Sequence, residues 1–275
     1  MGLFYRYHER PTLFRFFCRT GVNQLEPHPS QPHSPAATLP LLNPRPRVST
    51  VPLFDGSQCV IIDDFMLEPE ALVDYAANNH AHFRDVAGNS YPGPELPLSG
   101  TFAARVQDSF LQHARTPLGA RRVLSMMSRL SLVTLRPEEL LPGQRLPHRD
   151  FTGLPAGEGA GAMVLYLFKD ERFGGTSFFR PKVPVHEITA LIDDLKRREL
   201  AGETTVSDET PTYAIASSRH FEKVLTIAPR YNRAIFYSGD VFHSGDIHMP
   251  ELMVNDPRTG RLTVNAFFRL RMAAA

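Results

Sequence analysis

The chain has 275 residues, 42% of them hydrophobic, and a formal net charge of +1. That length and apolar content suit one large domain or two small ones with a full core. The near-neutral charge, without a basic run, gives no electrostatic case for nucleic acid or an acidic membrane surface. Two cysteines, Cys18 and Cys59, make neither a disulfide framework nor a Cys-rich metal site, which fits a reducing, cytoplasmic setting. No apolar run reaches the roughly 18 residues a membrane span needs.

Residues 1–48 read as an extension. Arg6, Arg10, Arg15 and Arg19 lie among Phe and Leu with a single acid, Glu9, a transit-like composition. Gly2 invites a myristoylation reading, but Arg6 stands where that motif wants Ser or Thr. Seven prolines from Pro27 to Pro46 then exclude regular structure, so 24–48 is expected to be an extended or disordered linker. The main domain is expected over 49–275.

Cys59-Val-Ile-Ile62, within Gln58 to Asp63, predicts a short buried strand. Pro69, between Glu68 and Glu70, predicts a helix start, and Leu72, Val73, Tyr75 and Ala76 give that helix an apolar face to about Asn79. Gly88 to Gly100, rich in Gly and Pro, reads as a loop. Phe102 to Ala114 has helical spacing, and Arg121 to Met127 is ambiguous. From Arg129 the pattern alternates with period two, predicting a strand that stops at Pro137. Pro142-Gly143 turns the chain into Leu146-Pro-His-Arg-Asp150. After a flexible Gly153 to Gly161, Met163 to Phe168 predicts a strand buried on both faces. Gly174-Gly175 predicts a turn into a strand over Thr176 to Phe179. Residues 182–220 read as an insertion, with a charged helix over Ile188 to Leu200 and a polar loop over Ala201 to Pro211. Lys223 to Ile227, Ala234 to Tyr237 and Leu262 to Phe268 predict three further strands. Short, evenly spaced strands behind front-loaded helices predict an α+β, mainly β architecture. In it a double-stranded β-helix, or jelly roll, carries N-terminal helices on one sheet.

In a strand, residues i and i+2 face the same way, so His148 and Asp150 aim an imidazole and a carboxylate at one point. His243, in Val241-Phe-His-Ser-Gly245, supplies a second imidazole. Two histidines and a carboxylate on one face, with open positions opposite, suit non-haem Fe(II). His-x-Asp alone is a weak motif, and the chain holds a decoy in His220-Phe221-Glu222. The order of the surrounding elements gives it weight. Arg149, the middle residue of the triplet, is expected to face away. Asp246, His248, His186 and His220 read as loop or insertion residues.

That order resembles the Fe(II)/2-oxoglutarate-dependent oxygenases, most closely the prolyl-4-hydroxylase-like branch. The similar segments are Val60 to Phe65, Arg136-Pro137, Pro142-Gly143, His148-Arg-Asp150, Leu165-Tyr-Leu167 with Gly174 to Phe178, Arg233 to Tyr237, His243-Ser244, and Gly260-Arg-Leu-Thr263. The resemblance implies Fe(II) on His148, Asp150 and His243, with 2-oxoglutarate and O2 as co-substrates and ascorbate as a further candidate. It also implies a fixed cation for the far carboxylate of 2-oxoglutarate. Arg261 is the candidate, since its fork binds carboxylates, with Thr263 beside it and Tyr166 and Tyr237 lining the pocket. The implied reaction is hydroxylation of an unactivated C–H bond with release of succinate and CO2.

Two departures leave the substrate open. Arg261 stands where the prolyl branch usually has Lys, and the interval from His243 is longer. A small molecule or a peptide fits equally, and the oligomeric state is not legible. Competing expectations are a cupin-like metal enzyme that does not use 2-oxoglutarate, and an inactive jelly-roll binding protein. Gly88–Gly100 and 182–220 are the candidate lids.

Overall fold

The computed structural model describes residues 40–86, 91–98, 100–151, 153–201 and 211–273. Most of the N-terminal extension, part of the Gly88–Gly100 loop and most of the Ala201–Pro211 loop therefore lie outside the described residues.

In chain order the strands and helices are β1 (Arg47–Pro52), β2 (Gln58–Asp63), α1 (Pro69–Asn78), β3 (Glu95–Leu98), α2 (Thr101–Ser109) and β4 (Ala120–Val133). They continue with β5 (Glu158–Tyr166), β6 (Thr176–Pro181), α3 (Val185–Leu200), β7 (Phe221–Ile227), β8 (Ala234–Ser238), β9 (Phe242–Gly245) and β10 (Arg261–Met272). A π-helical turn, Phe110–Ala114, extends α2. The fold is mainly β. A seven-stranded sheet has the order β1-β2-β8-β5-β10-β4-β3 and a three-stranded sheet the order β7-β6-β9. All the strand pairs are antiparallel. Face-to-face contact of the two sheets is consistent with a β-sandwich: Phe178 on β6 meets Tyr237 on β8 edge to face at 5.0 Å.

Strand alternation divides the large sheet into two environments. Its outer face presents Leu130, Leu132, Leu262, Val264, Ala266, Phe268 and Phe236, all fully buried. Phe65, Leu72, Phe102, Val106 and Phe110, from the segment before α1 through α2 and its π-turn, close over them. Phe110 stacks on Phe268 at 4.4 Å. The inner face, toward the small sheet, is mixed. Tyr166, Tyr237, Val133 and Ile235 pack with Phe178 and Ile227. Between them stand buried polar groups: Glu95, Ser131, Arg261, Thr263 and Asn265. On the far side of the small sheet, Ile188 of α3 joins Phe179, Phe221 and Phe242 in a third cluster.

Several elements differ from the expectations. Part of the expected linker is paired: β1 runs alongside β2 from Arg47↔Asp63, and Leu42 bridges Met66. Gly88–Gly100 contains an edge strand, β3, held in register by Glu95↔Ser131. Its prolines are tolerated because an edge strand needs hydrogen bonds on one side only. The ambiguous Arg121–Met127 belongs to β4, whose full length pairs with β10. β5 begins at Glu158, inside the stretch expected to be flexible. Gly159 and Gly161 sit there because a Cβ would come 2.6 Å from Met272 Sδ and 3.1 Å from Leu270 Cδ1 respectively.

Candidate metal centre and its polar wall

His148 does not lie on a regular strand. It makes an isolated antiparallel bridge with His243 on β9. The His148 N–H donates to the His243 carbonyl at 3.0 Å and the His243 N–H returns the bond at 2.9 Å. Directly opposed residues in such a pair share a face, so both imidazoles project together, 4.4 Å between ring centroids. Two residues on, the Asp150 N–H donates to the Gly239 carbonyl at 2.9 Å and holds the carboxylate on that same face. The potential ligand atoms of His148, Asp150 and His243 lie within 4.8 Å of one another. The two histidine Nε2 atoms stand 3.9 and 3.7 Å from Asp150 Oδ1 and Oδ2.

Each residue is prepared as a ligand. His243 Nδ1 lies 2.8 Å from the Val241 carbonyl. A carbonyl only accepts, so Nδ1 carries a proton and Nε2 is the ring nitrogen turned to Asp150. The Tyr237 ring packs 4.8 Å from the His243 ring and fixes its plane. Burial, then the neighbouring His243 and Arg129, hold the His148 pKa well below the ordinary histidine value, so its ring is neutral. Burial raises the Asp150 pKa against the opposing pull of His243 and Arg129. Asp150 Oδ2 is buried and has no hydrogen-bond partner. A buried acceptor left unsatisfied costs about 1–3 kcal/mol, and more when charged, so this oxygen fits a cation. Space for it is built in: a Cβ on Gly239 would fall 2.9 Å from Asp150 Oδ2.

Arg261 opens β10 and is 4% exposed. Its Nε donates to the Phe173 carbonyl at 2.9 Å, and Nη2 donates to the carbonyls of Gly174 and Gly175 at 3.1 and 3.0 Å. No carboxylate pairs with Arg261 among the described residues. The open fork expected from the sequence is also partly closed, since Nη1 alone is left without a hydrogen bond there. Thr263, two residues on, lies 3.3 Å from the Tyr91 hydroxyl. Tyr166 donates to or accepts from Thr176 Oγ1 at 2.8 Å. Burial first, and then Asp150, raises the Tyr237 pKa, which keeps it a neutral phenol.

The other candidates separate cleanly. Arg149 turns away and lies over Phe242, 5.1 Å from its centroid. Asp246 is taken by Lys223 at 2.6 Å and by His248 at 3.2 Å, while Glu222 of the decoy pairs with Arg180. Of the proposed lids, Tyr213 in the insertion is buried and donates to the Leu135 carbonyl at 2.6 Å.

Three residues of the inner face escaped the sequence. Glu95, Tyr91 and Arg129 sit beside the candidate residues. Arg129 lies opposite Asn265 in the β4–β10 register, on the face of Thr263 and Arg261. Their one signal was parity with Ser131, which says which face a residue shares but not which strand lies alongside.

Residues 44–268 match the model of a family described as a family of unknown function (DUF6445). The chain belongs to that family. No curated protein matches it. Among solved structures, one similar chain is a novel N-substituted L-amino acid dioxygenase from Burkholderia ambifaria AMMD, at 10% identity and a TM-score of 0.32. The match covers 78% of this chain and 86% of that one. A likeness at that score carries neither fold nor activity across to this family member. Among the described residues no helix is long and apolar enough to cross a membrane.

Proposed function

We propose that this protein is an Fe(II)- and 2-oxoglutarate-dependent dioxygenase that hydroxylates a C–H bond of a small-molecule or peptide substrate, on a double-stranded β-helix domain over 49–275. The observation that carries the proposal is the bridged pair His148/His243 with Asp150: two imidazoles projecting together, His148 held neutral by burial and His243 with Nδ1 engaged by a carbonyl, and a buried carboxylate oxygen without a hydrogen bond. Two histidines and one carboxylate, leaving coordination positions open, are the donor set of non-haem Fe(II) oxygenases. When bound, iron and 2-oxoglutarate supply oxidative decarboxylation to succinate and CO2 with transfer of an oxygen atom of O2 to the substrate.

The chain's own residues would do the rest. His148, Asp150 and His243 would hold the metal. The Val241 carbonyl and the Tyr237 ring orient His243, and altering groups that orient a metal ligand in this way typically changes metal affinity or activity 10- to 100-fold. Arg261 would place positive charge for the far carboxylate of 2-oxoglutarate through Nη1, with the hydroxyls of Thr263 and Tyr91 beside it. Tyr166 and Tyr237 would line that pocket and exclude water.

One observation favours a second reading, a metal enzyme of similar architecture that does not use 2-oxoglutarate. Two of the three Arg261 nitrogens are already committed to backbone carbonyls. The deciding experiment is succinate release by the Fe(II)-loaded protein under O2. Turnover that disappears in His148→Ala, together with a raised 2-oxoglutarate requirement in Arg261→Ala, supports the proposal. Iron binding without succinate release selects the second reading. Metal affinity unchanged in His148→Ala removes both.

A further inference from the structure

Arg129 is a second arginine on the inner face of the large sheet, and its surroundings differ from those of Arg261. Along β10, Arg261 faces Val133 of β4 while Asn265 faces Arg129. At about 3.4 Å per residue the two arginine positions are therefore about 13–14 Å apart along the sheet. Arg261 is tied to the carbonyls of Phe173, Gly174 and Gly175 at one end. Arg129 overlies Phe267, which stands opposite Ala162 on β5; Ala162 in turn faces Tyr237 on β8, whose ring packs on that of His243.

The Arg129 side chain is 18% exposed, its Nε 2.8 Å from Glu95 Oε1. Its guanidinium lies over the Phe267 ring, 4.7 Å from the centroid. The carboxylate pairs with the guanidinium by charge, Nε itself making no hydrogen bond, and the ring covers one face of it. They leave both terminal nitrogens without a hydrogen bond among the described residues. Arg261 spends its donors on three carbonyls; Arg129 keeps two nitrogens for something else. A mostly buried guanidinium with open donors calls for an anion, and the planar pair of Nη groups matches a carboxylate.

Past Arg129 the same face becomes apolar and open. Met127 lies opposite Phe267 in register and is 51% exposed. Opposite Phe267 on β5 stands Ala162, which takes little room. A cationic anchor for an anion thus leads onto an exposed apolar residue, Met127.

We propose that Arg129 is a substrate-binding residue: its terminal nitrogens take the carboxylate of an apolar carboxylic acid whose body lies along Phe267 and Met127. This rests on the dioxygenase function proposed above, and it assigns the carboxylate to the substrate rather than to 2-oxoglutarate.

The test uses 3-phenylpropanoate and hexanoate, each beside its primary amide, as probes of the full-length protein. Binding is measured by saturation-transfer NMR, and proximity to the centre by relaxation of probe protons on loading with Mn(II). In the unaltered protein each carboxylate is expected to bind at least about tenfold tighter than its amide, and to be relaxed by Mn(II). Because Arg129→Gln alone would remove the cation that Glu95 faces at 2.8 Å, the variant of choice is Arg129→Gln combined with Glu95→Gln. It is expected to bring each carboxylate–amide ratio to near one, while Arg129→Lys keeps an intermediate ratio. Equal binding of acid and amide in the unaltered protein, or a ratio that survives in the double variant, overturns the assignment. So does a double variant that weakens 2-oxoglutarate binding, measured directly on the Mn(II) form, with the probe ratio intact; Arg129 would then belong to the co-substrate. Absence of Mn(II) binding or of succinate release is a failure of the proposed function, and the metal-free carboxylate–amide ratio still decides the role of Arg129.

Discussion

The two faces of the seven-stranded sheet use the same backbone for opposite purposes. Outward, alternate residues of β4, β8 and β10 form an apolar layer under α1 and α2, with Phe110 stacked on Phe268. Inward, the residues between them are Arg129, Ser131, Arg261, Thr263 and Asn265, facing the histidine bridge. Stability is concentrated on the outer face. The inner face carries charge, open donors and a buried carboxylate oxygen without a partner, all of which cost stability in the metal-free protein. Because side chains alternate, the two jobs are separated by one residue, and substitutions one position apart should give different kinds of defect.

The largest expected effect tests the outer face. Phe268→Ala should destabilise the protein by about 3–5 kcal/mol in chemical denaturation. Its metal affinity, measured by calorimetry under native conditions, should stay close to that of the unaltered protein. A large loss of affinity in the folded variant would show that the faces are not independent.

Gly239→Ala probes the inner face alone. The added methyl would meet Asp150 Oδ2 and Ala160 Cβ, each at 2.9 Å. A fall in metal affinity of about 10- to 100-fold is expected, as when a group that positions a ligand is displaced, with far-ultraviolet dichroism retained. Asp150→Asn should abolish metal binding yet stabilise the metal-free protein by about 1 kcal/mol, since it removes a buried carboxylate whose Oδ2 lacks a partner. Destabilisation instead would mean that Asp150 is a structural residue.

The smallest effect lies outside both faces. Arg233 on the segment before β8 grips Asp63 at the end of β2 through Nε and Nη2, at 2.7 and 3.1 Å. That hydrogen bonding lowers the Asp63 pKa below its ordinary 3.8. The ion pair's contribution is therefore complete above pH 3.8 and is lost as pH falls below it toward the lowered value. Asp63→Asn should cost less than about 1 kcal/mol at pH 7 and flatten the acid limb of the stability curve below pH 3.8. An unchanged acid limb would show that the pair contributes nothing.

What could be read from the sequence follows from the range of each signal. β2, α1 and the strand at Thr176 announce themselves through short-range pattern and turn residues. The triplet His148-Arg-Asp150 and the distant His243 were legible as types. Their meeting depends on one pair of backbone hydrogen bonds between positions 95 residues apart, which no local pattern encodes. β5 was misjudged at its start because glycine normally marks mobility, whereas Gly159 and Gly161 are small to admit Met272 and Leu270. Arg129 and Glu95 drew no site assignment, since a lone charge in a strand or loop pattern normally faces solvent. Only the β3–β4–β10 register, with Glu95 against Ser131 and Arg129 against Asn265, turns them inward.

The three carbonyls that surround Arg261 belong to consecutive residues at the bend where the chain leaves β5 for β6. One guanidinium therefore staples the crossing between the large sheet and the small one. Lysine, with a single nitrogen, reproduces the charge but not the fan of donors. Replacing Arg261 by lysine should thus loosen the gap between the sheets as well as any anion held there, so spacing and chemistry at this end of the molecule would have to change together.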